Sequence, residues 1–257
     1  MTFQYLPVDQ AIPHAGLRMV VVGNVPSPWG EAAKGILHIK NIDWVAVRLA
    51  YDSEPLKQWT GGQLSGPVAI YEQERPRSGW AEILLLAERL APTPSLLPKD
   101  PADRALMFGL AHEICGEEGL AWTRRLQLVH AGLRNEPGFP PPVAKYLAKK
   151  YGYSQEEGTD YGKRVTALLD MLAGRLKAQH KAGSNYYVGD TLTAVDVYSA
   201  TAMALFGPLP HDQCAMKADT RAAFEALDAK TRAALDPILF EHRDRMYAGH
   251  LELPLAL

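Results

Sequence analysis

A small α/β unit followed by an all-helical one is the fold class the sequence predicts, and three observations predict it. Short apolar, β-branched runs alternate with helical periodicity over the first ninety residues, prolines crowd residues 91–101, and no alternating segment follows Asp103. The length of 257 residues fits one large domain or two unequal ones. The expected division is an arm over 1–16, an α/β unit over 17–91, a linker over 92–101 and a helical part over 102–257.

In the arm, Pro7, Pro13 and Gly16 interrupt any period, so an extended segment laid over the surface is expected, without an element of its own. Met19-Val20-Val21-Val22, closed by Gly23-Asn24, reads as a buried first strand. Ser27-Pro28 opens a helix in which Trp29, Ala32, Ala33, Ile36, Leu37 and Lys40 recur at helical spacing, with Pro28 at the first helical position. Trp44 to Leu49 is the second strand, and a strand, helix, strand order makes a parallel pair with a crossover helix. Pro67 to Tyr71 is a third strand whose proline stands where a lost donor matters least. Trp80, Ile83, Leu84, Ala87 and Leu90 form one helical stripe. Beyond the linker, Val165, Leu168, Leu169, Leu172 and Leu176 mark the cleanest helix, and Pro137 to Pro142 and Gly207 to Pro210 divide the rest into at least three helical groups.

Composition removes several classes. Hydrophobic residues at 47% and charged residues at 22% exclude a disordered, collagen-like or coiled-coil chain. With 27 Lys and Arg against 29 Asp and Glu there is no net positive field for nucleic acid. Neither a membrane span nor a secretory signal is legible, which places the expected location in the cytoplasm. Cys115 and Cys214 are too few for a disulfide framework or a Cys-built zinc site and are read as core packing. His112-Glu113 starts like a zinc-protease helix, but Gly116 stands where the second histidine is needed, so no metal is expected. Phosphate-binding glycine loops and the Gly-x-Ser-x-Gly elbow are missing as well.

Pro26-Ser27-Pro28-Trp29-Gly30 lies where a strand hands over to a helix. A serine there either caps the helix or offers its hydroxyl, beside free N–H groups, to an anion. For a bound thiolate, such donors lower the thiol pKa toward neutrality. Gly66-Pro67 sits at the mouth of a strand, cis or trans, with trans favoured by frequency. Ser78 or Gly79 gives a second helix start, beside Arg75 and Arg77, that is either an ordinary cap or a carboxylate site.

A strand, Pro-Ser-Pro-Trp-Gly opening a helix, a strand-initial Pro67, a Ser/Gly cap and a helix ending Leu86-Ala87-Glu88-Arg89-Leu90 together resemble the glutathione S-transferases. The linker Leu96-Leu97-Pro98-Lys99-Asp100-Pro101 is similar to theirs. Tyr187 to Tyr198 is close to the family's Gly-Asp-x-x-Thr-x-Ala-Asp segment, in which Thr193 and Asp196 form a structural capping box. The resemblance spans roughly Gly16 to Phe206. It implies a thioredoxin-like N-terminal domain, a helical-bundle C-terminal domain, glutathione as co-substrate and a homodimer. It maps the thiolate donor of serine-type, tau-like members onto Ser27, and glutathione contacts onto Gly66, Pro67, Arg77, Ser78 and Gly79. Gly30 leaves a Cys-based exchange without its residue, and the family's acid-serine pair is replaced by Arg77-Ser78 or Ser78-Gly79. The second substrate is expected between the domains, against Trp29, Met107, Phe108 and His112. The implied reaction is attack of the glutathione sulfur on an electrophilic apolar compound or a peroxide, and the alternative is a non-catalytic binding or scaffold protein. Trp122 to Arg125 reads as a solvated, partly packed face, and the tail from Asp236 as either packing or a lid.

Overall fold

The computed structural model describes residues 4–257, so the first three residues of the expected arm lie outside the described residues. Three strands, β1 (Leu17–Val21), β2 (Trp44–Arg48) and β3 (Val68–Tyr71), form one sheet in the order β2-β1-β3. β2 runs parallel to β1 with Leu17 opposite Trp44, and β3 runs antiparallel with Val20 opposite Val68. The arm carries a one-turn helix, α1 (Val8–Ala11), which the prolines had argued against. Burial explains the difference: Ala11 is fully buried against Val20, Val47 and Leu56, and this contact holds a turn too short to stand alone.

Helix α2 (Pro28–Ile39) connects β1 to β2, as the strand, helix, strand order requires. A short α3 (Glu54–Trp59), not expected from periodicity, follows β2, capped by the Ser53 hydroxyl accepting from the Leu56 N–H at 3.3 Å. After β3 comes α4 (Trp80–Leu90). Alternation along β1 then divides the core. Leu17, Met19 and Val21 face α2, α4 and the helical half, whereas Val20 meets Val47, Leu56, Val68 and Ile70 on the other side.

Every element from Pro101 onward is helical: α5 (Pro101–Cys115), α6 (Leu120–Leu133), α7 (Pro141–Tyr151), α8 (Gly158–Lys181), α9 (Ala194–Ala202), α10 (Ala218–Glu225), α11 (Ala229–Ala234) and α12 (Pro237–Gly249), with a 3₁₀ turn at Met203–Leu205. The predicted stripe of α8 is buried along its length. At the start of α9 the fully buried Asp196 accepts from the Thr193 N–H at 2.9 Å, the Thr193 hydroxyl at 3.0 Å and the Tyr187 N–H at 2.9 Å.

Two regions differ from the sequence expectation. Thr123 and Arg124 are buried, with Arg124 donating to the Leu205 carbonyl at 3.1 Å and to Gln127 Oε1 at 2.6 Å, so that part of the segment ties helices together instead of facing solvent. Burial pushes the Arg124 guanidinium down to about 9. The tail packs rather than covering the cleft: Leu251 lies against Gly35 of α2, and Lys34 donates to the Ala256 carbonyl at 2.7 Å. No helix among the described residues is long and apolar enough to cross a membrane, and none of their His, Cys, Asp and Glu side chains group as a metal site.

Candidate functional site

Ser27 is the residue before α2, in extended conformation, and Pro28 follows at the first helical position. The Ser27 carbonyl accepts from the Glu31 N–H at 2.8 Å, closing the first turn. Its hydroxyl makes no capping bond. Since Pro28 has no N–H, helix geometry leaves the Trp29 and Gly30 N–H groups without intrahelical partners, and the serine does not fill them. The hydroxyl lies over the same turn, where a Cβ added at Gly30 would be 3.8 Å from it. The helix start therefore keeps three uncommitted donors and the positive end of the helix dipole. Ser27 is also 3% exposed, so that only a group brought close can meet it.

Pro67 precedes β3, and its bond to Gly66 is cis, against the trans form that frequency favours. Antiparallel pairing of β3 with β1 brings Gly66 to the end of β1 from which the chain passes to Ser27. A Cβ at Gly66 would stand 3.2 Å from the Val22 backbone nitrogen and 3.3 Å from the Val20 carbonyl oxygen. These distances are tighter than a Cβ ordinarily keeps from backbone, so a side chain here would push this turn off β1 by a few tenths of an ångström.

The cavity beside these residues has a volume of about 170 Å³. Trp29, Trp80, Trp122 and Tyr151 line it with aromatic surface, while Ser65 and Ser78 line it with hydroxyl-bearing side chains. Gly66 and Pro67 complete the wall on the sheet side, and among the described residues Lys150 is the one cation lining it. The Trp29 indole donates to the Cys115 carbonyl at 2.8 Å, which fixes the ring, and the Arg125 guanidinium lies 4.6 Å above it. Tyr151 meets Trp122 edge-on at 4.6 Å between centroids and accepts from Arg125. Burial, with Arg125 nearby, pushes Lys150 down to about 8. A larger groove of about 920 Å³ runs along the linker beside His38, Lys99 and Asp190, but none of the expected site residues faces it.

Of the residues singled out in the sequence, Trp29, Gly66, Pro67 and Ser78 share this wall, and Ser27 sits two residues before Trp29 without lining it. Arg77 is engaged within the protein: its guanidinium binds Glu74 at 2.6 Å, which Arg89 holds from the other side at 2.7 Å. Gly79 caps α4 and its N–H is taken by Glu82 Oε2 at 3.2 Å. Met107 is fully buried in the core, because its position on α5 faces inward between Leu110 and Ala111. Phe108 is half-buried 6.2 Å from Trp80, behind the cavity rather than on its wall. His112 is exposed, folded over Gly116.

Ser65, Trp80, Trp122, Lys150 and Tyr151 were not assigned to the site from sequence. Their signal was weak: α6 and α7 meet the sheet end only through tertiary packing, and neither helix carries a local motif. Cys115 and Cys214 are buried and free, and burial raises both thiols, which disfavours the thiolate at either position.

No protein-family model matches the chain, and the comparison with curated proteins returns no match either. Solved structures do resemble it. A glutathione transferase family member from Pseudomonas fluorescens, with two glutathione bound, is 15% identical with a TM-score of 0.63, covering 94% of this chain and 93% of that one. A glutathione S-transferase from Methylobacterium radiotolerans, in complex with glutathione sulfonate, is 20% identical with a TM-score of 0.59 and 91% coverage of both chains. A Tau class glutathione S-transferase from mango is 18% identical with a TM-score of 0.53, covering 90% of this chain and 98% of that one. With its mixed three-stranded sheet followed by helices alone, the chain has the fold of the glutathione S-transferases.

Proposed function

We propose that the chain is a glutathione transferase that places the glutathione sulfur at the start of α2. The observation that carries this reading is the uncommitted Ser27 hydroxyl beside the free N–H groups of Trp29 and Gly30, at the sheet end where Gly66 and cis-Pro67 stand. Backbone groups at Gly66 are suited to pair with the peptide part of glutathione, and the Ser78 hydroxyl to one of its ends. The serine acts as a donor: its hydroxyl and the helix terminus stabilise a thiolate, which then attacks an electrophilic carbon or a peroxide oxygen. The aromatic side of the cavity, Trp29, Trp122 and Tyr151, would face the acceptor, next to glutathione held at Gly66, Pro67 and Ser78. The same reading carries the division into domains at residues 92–101, a homodimer and a cytoplasmic location.

Ser27→Ala tests it. Turnover should fall about 10²-fold, as for other positioned donors to a developing anion, with the pH-rate profile moving to higher pH. A variant that matches wild type in both would remove Ser27 from the mechanism.

A binding protein without turnover is the second reading, favoured by the 3% exposure of Ser27 and by the commitment of Arg77 to Glu74. Glutathione at 100 times its dissociation constant should stabilise either protein by about 2.7 kcal/mol. A thermal shift without conjugation of any electrophile selects the binding protein, and a flat melting curve favours a scaffold that keeps the fold without glutathione.

A further inference from the structure

The cavity is small and shut for what the site has to hold. Its volume of about 170 Å³ lies below the roughly 300 to 1,000 Å³ of ordinary ligand pockets, and Ser27, 3% exposed, does not reach its wall. A tripeptide whose sulfur meets the Ser27 hydroxyl therefore requires part of the surroundings to move. One side of the mouth is firmly held. Within α7, Ala144 is buried, Tyr151 meets Trp122 edge-on and accepts from Arg125, and just ahead of the helix the Phe139 N–H donates to the Leu128 carbonyl at 3.2 Å, so α7 is fixed to α6. The other side consists of two loops of the α/β unit, one carrying Tyr51 after β2 and one carrying Leu64 just before Gly66.

These loops meet α7 through surface contacts. Tyr51, 49% exposed, lies edge-on to Tyr146, 45% exposed, with ring centroids 5.6 Å apart. The Lys150 ammonium stands 5.9 Å from each of the two rings, and its hydrogen bond to the Leu64 carbonyl is long, at 3.4 Å. Among the described residues no ion pair joins the loops to α7; the Lys57–Glu54 pair stays on the loop side. Ring contacts of this kind are individually weak and are broken at little cost.

We propose that Tyr51 and Tyr146 form a gate across the mouth of this site, and that glutathione enters when the loops bearing Tyr51 and Leu64 part from α7. The inference rests on reading the cavity as the place of glutathione. Association then scales with the fraction of molecules whose gate is open, and removing one edge-on aromatic contact raises that fraction roughly 2- to 10-fold.

The test joins the two sides in the full chain at pH 7. Tyr51→Cys and Tyr146→Cys are made singly and together and treated with a short bismaleimide, Cys115 and Cys214 being buried. Association of S-methylglutathione is followed by stopped-flow tryptophan fluorescence, because Trp29, Trp80 and Trp122 line the cavity. The cross-linked double variant should bind at least about tenfold more slowly than either single variant carrying the reagent, and Tyr51→Ala and Tyr146→Ala should each bind roughly 2- to 10-fold faster than wild type. Unchanged association in the cross-linked protein, or in both alanine variants, overturns the gate. So does a double variant that takes up the reagent at each thiol without cross-linking, because the two sides would then not meet in solution. Acrylamide quenching of the tryptophans reads the gate without glutathione and should rise in the alanine variants and fall on cross-linking. If quenching behaves so while glutathione gives no thermal shift in wild type, the gate stands and the transferase reading fails. If glutathione binds while neither quenching nor association responds, the gate fails and the transferase reading stands.

Discussion

Lys40→Met should destabilise the protein by about 3 kcal/mol. The Lys40 side chain is fully buried at the end of α2, and its ammonium donates to the Ala91 carbonyl at 2.6 Å, the Pro94 carbonyl at 2.7 Å and Glu88 at 2.8 Å. One lysine thus fastens α2 to the end of α4 and to the linker. Removing one partner of a buried pair costs about 3 to 5 kcal/mol, because the other charge is left without compensation. Glu88 keeps the Leu96 N–H at 2.8 Å and the Ser95 hydroxyl at 3.0 Å, which places the loss at the lower end. For a chain of this size the melting temperature should fall by roughly 6 to 12 °C. Urea unfolding at pH 7 of wild type, Lys40→Met, Glu88→Gln and the double variant gives the coupling directly. A Lys40→Met loss below about 1 kcal/mol, or single effects that add within about 0.3 kcal/mol, would refute the account of Lys40 as the fastening group.

Further outcomes follow from the same reasoning. Gly66→Ala should cost about 1 to 3 kcal/mol in urea unfolding, since the new methyl meets backbone of β1, which cannot give way as a side chain can. His242 is fully buried with its Nε2 3.5 Å from Asp196 Oδ1, and burial pushes the ring down to about 4. A folded pKa below the unfolded 6.5 means the unfolded chain binds the proton more readily, so this residue removes stability as pH falls from 6.5 toward 4, by roughly 3 kcal/mol when complete. Asp196, pushed by burial up to about 6, opposes this by taking a proton in the folded state. His242→Gln should therefore flatten the acid limb of a pH-stability profile, and an unchanged slope would assign that limb elsewhere.

Most of the architecture was legible because it is written locally. The β1 run, the helix behind Ser27-Pro28, the stripe of α8 and the Thr193–Asp196 pair each follow from residues within one or two turns of each other. The elements that escaped are short. α1 exists through the burial of Ala11 by distant strands, and α3 is a six-residue helix whose local signal is confined to its Ser53 cap. For the site, the residues on the turn after β1 and at the start of β3 were legible, because backbone pairing alone brings these chain segments to one sheet end. Its far wall was not. Trp122, Lys150 and Tyr151 reach the cavity from two helices whose packing angle no local pattern encodes, and Arg77 is captured by Glu74 three residues away. Met107 shows the converse: helical spacing marks an apolar face without saying whether it meets a cleft or the interior.

The small sheet has two outer strands, and each is met by one residue from elsewhere: Tyr5 bridges to Ala46 of β2, and Arg77 bridges to Ala69 of β3. The Leu6 N–H reaches the Ala46 carbonyl at 2.9 Å, while Arg77 and Ala69 exchange both backbone bonds, at 2.9 and 2.8 Å. Exposed strand margins invite a neighbouring molecule to continue the ladder. Here the margins are interrupted by the chain's own flanking segments, so neither outer strand presents an unbroken row of free backbone groups to a second molecule.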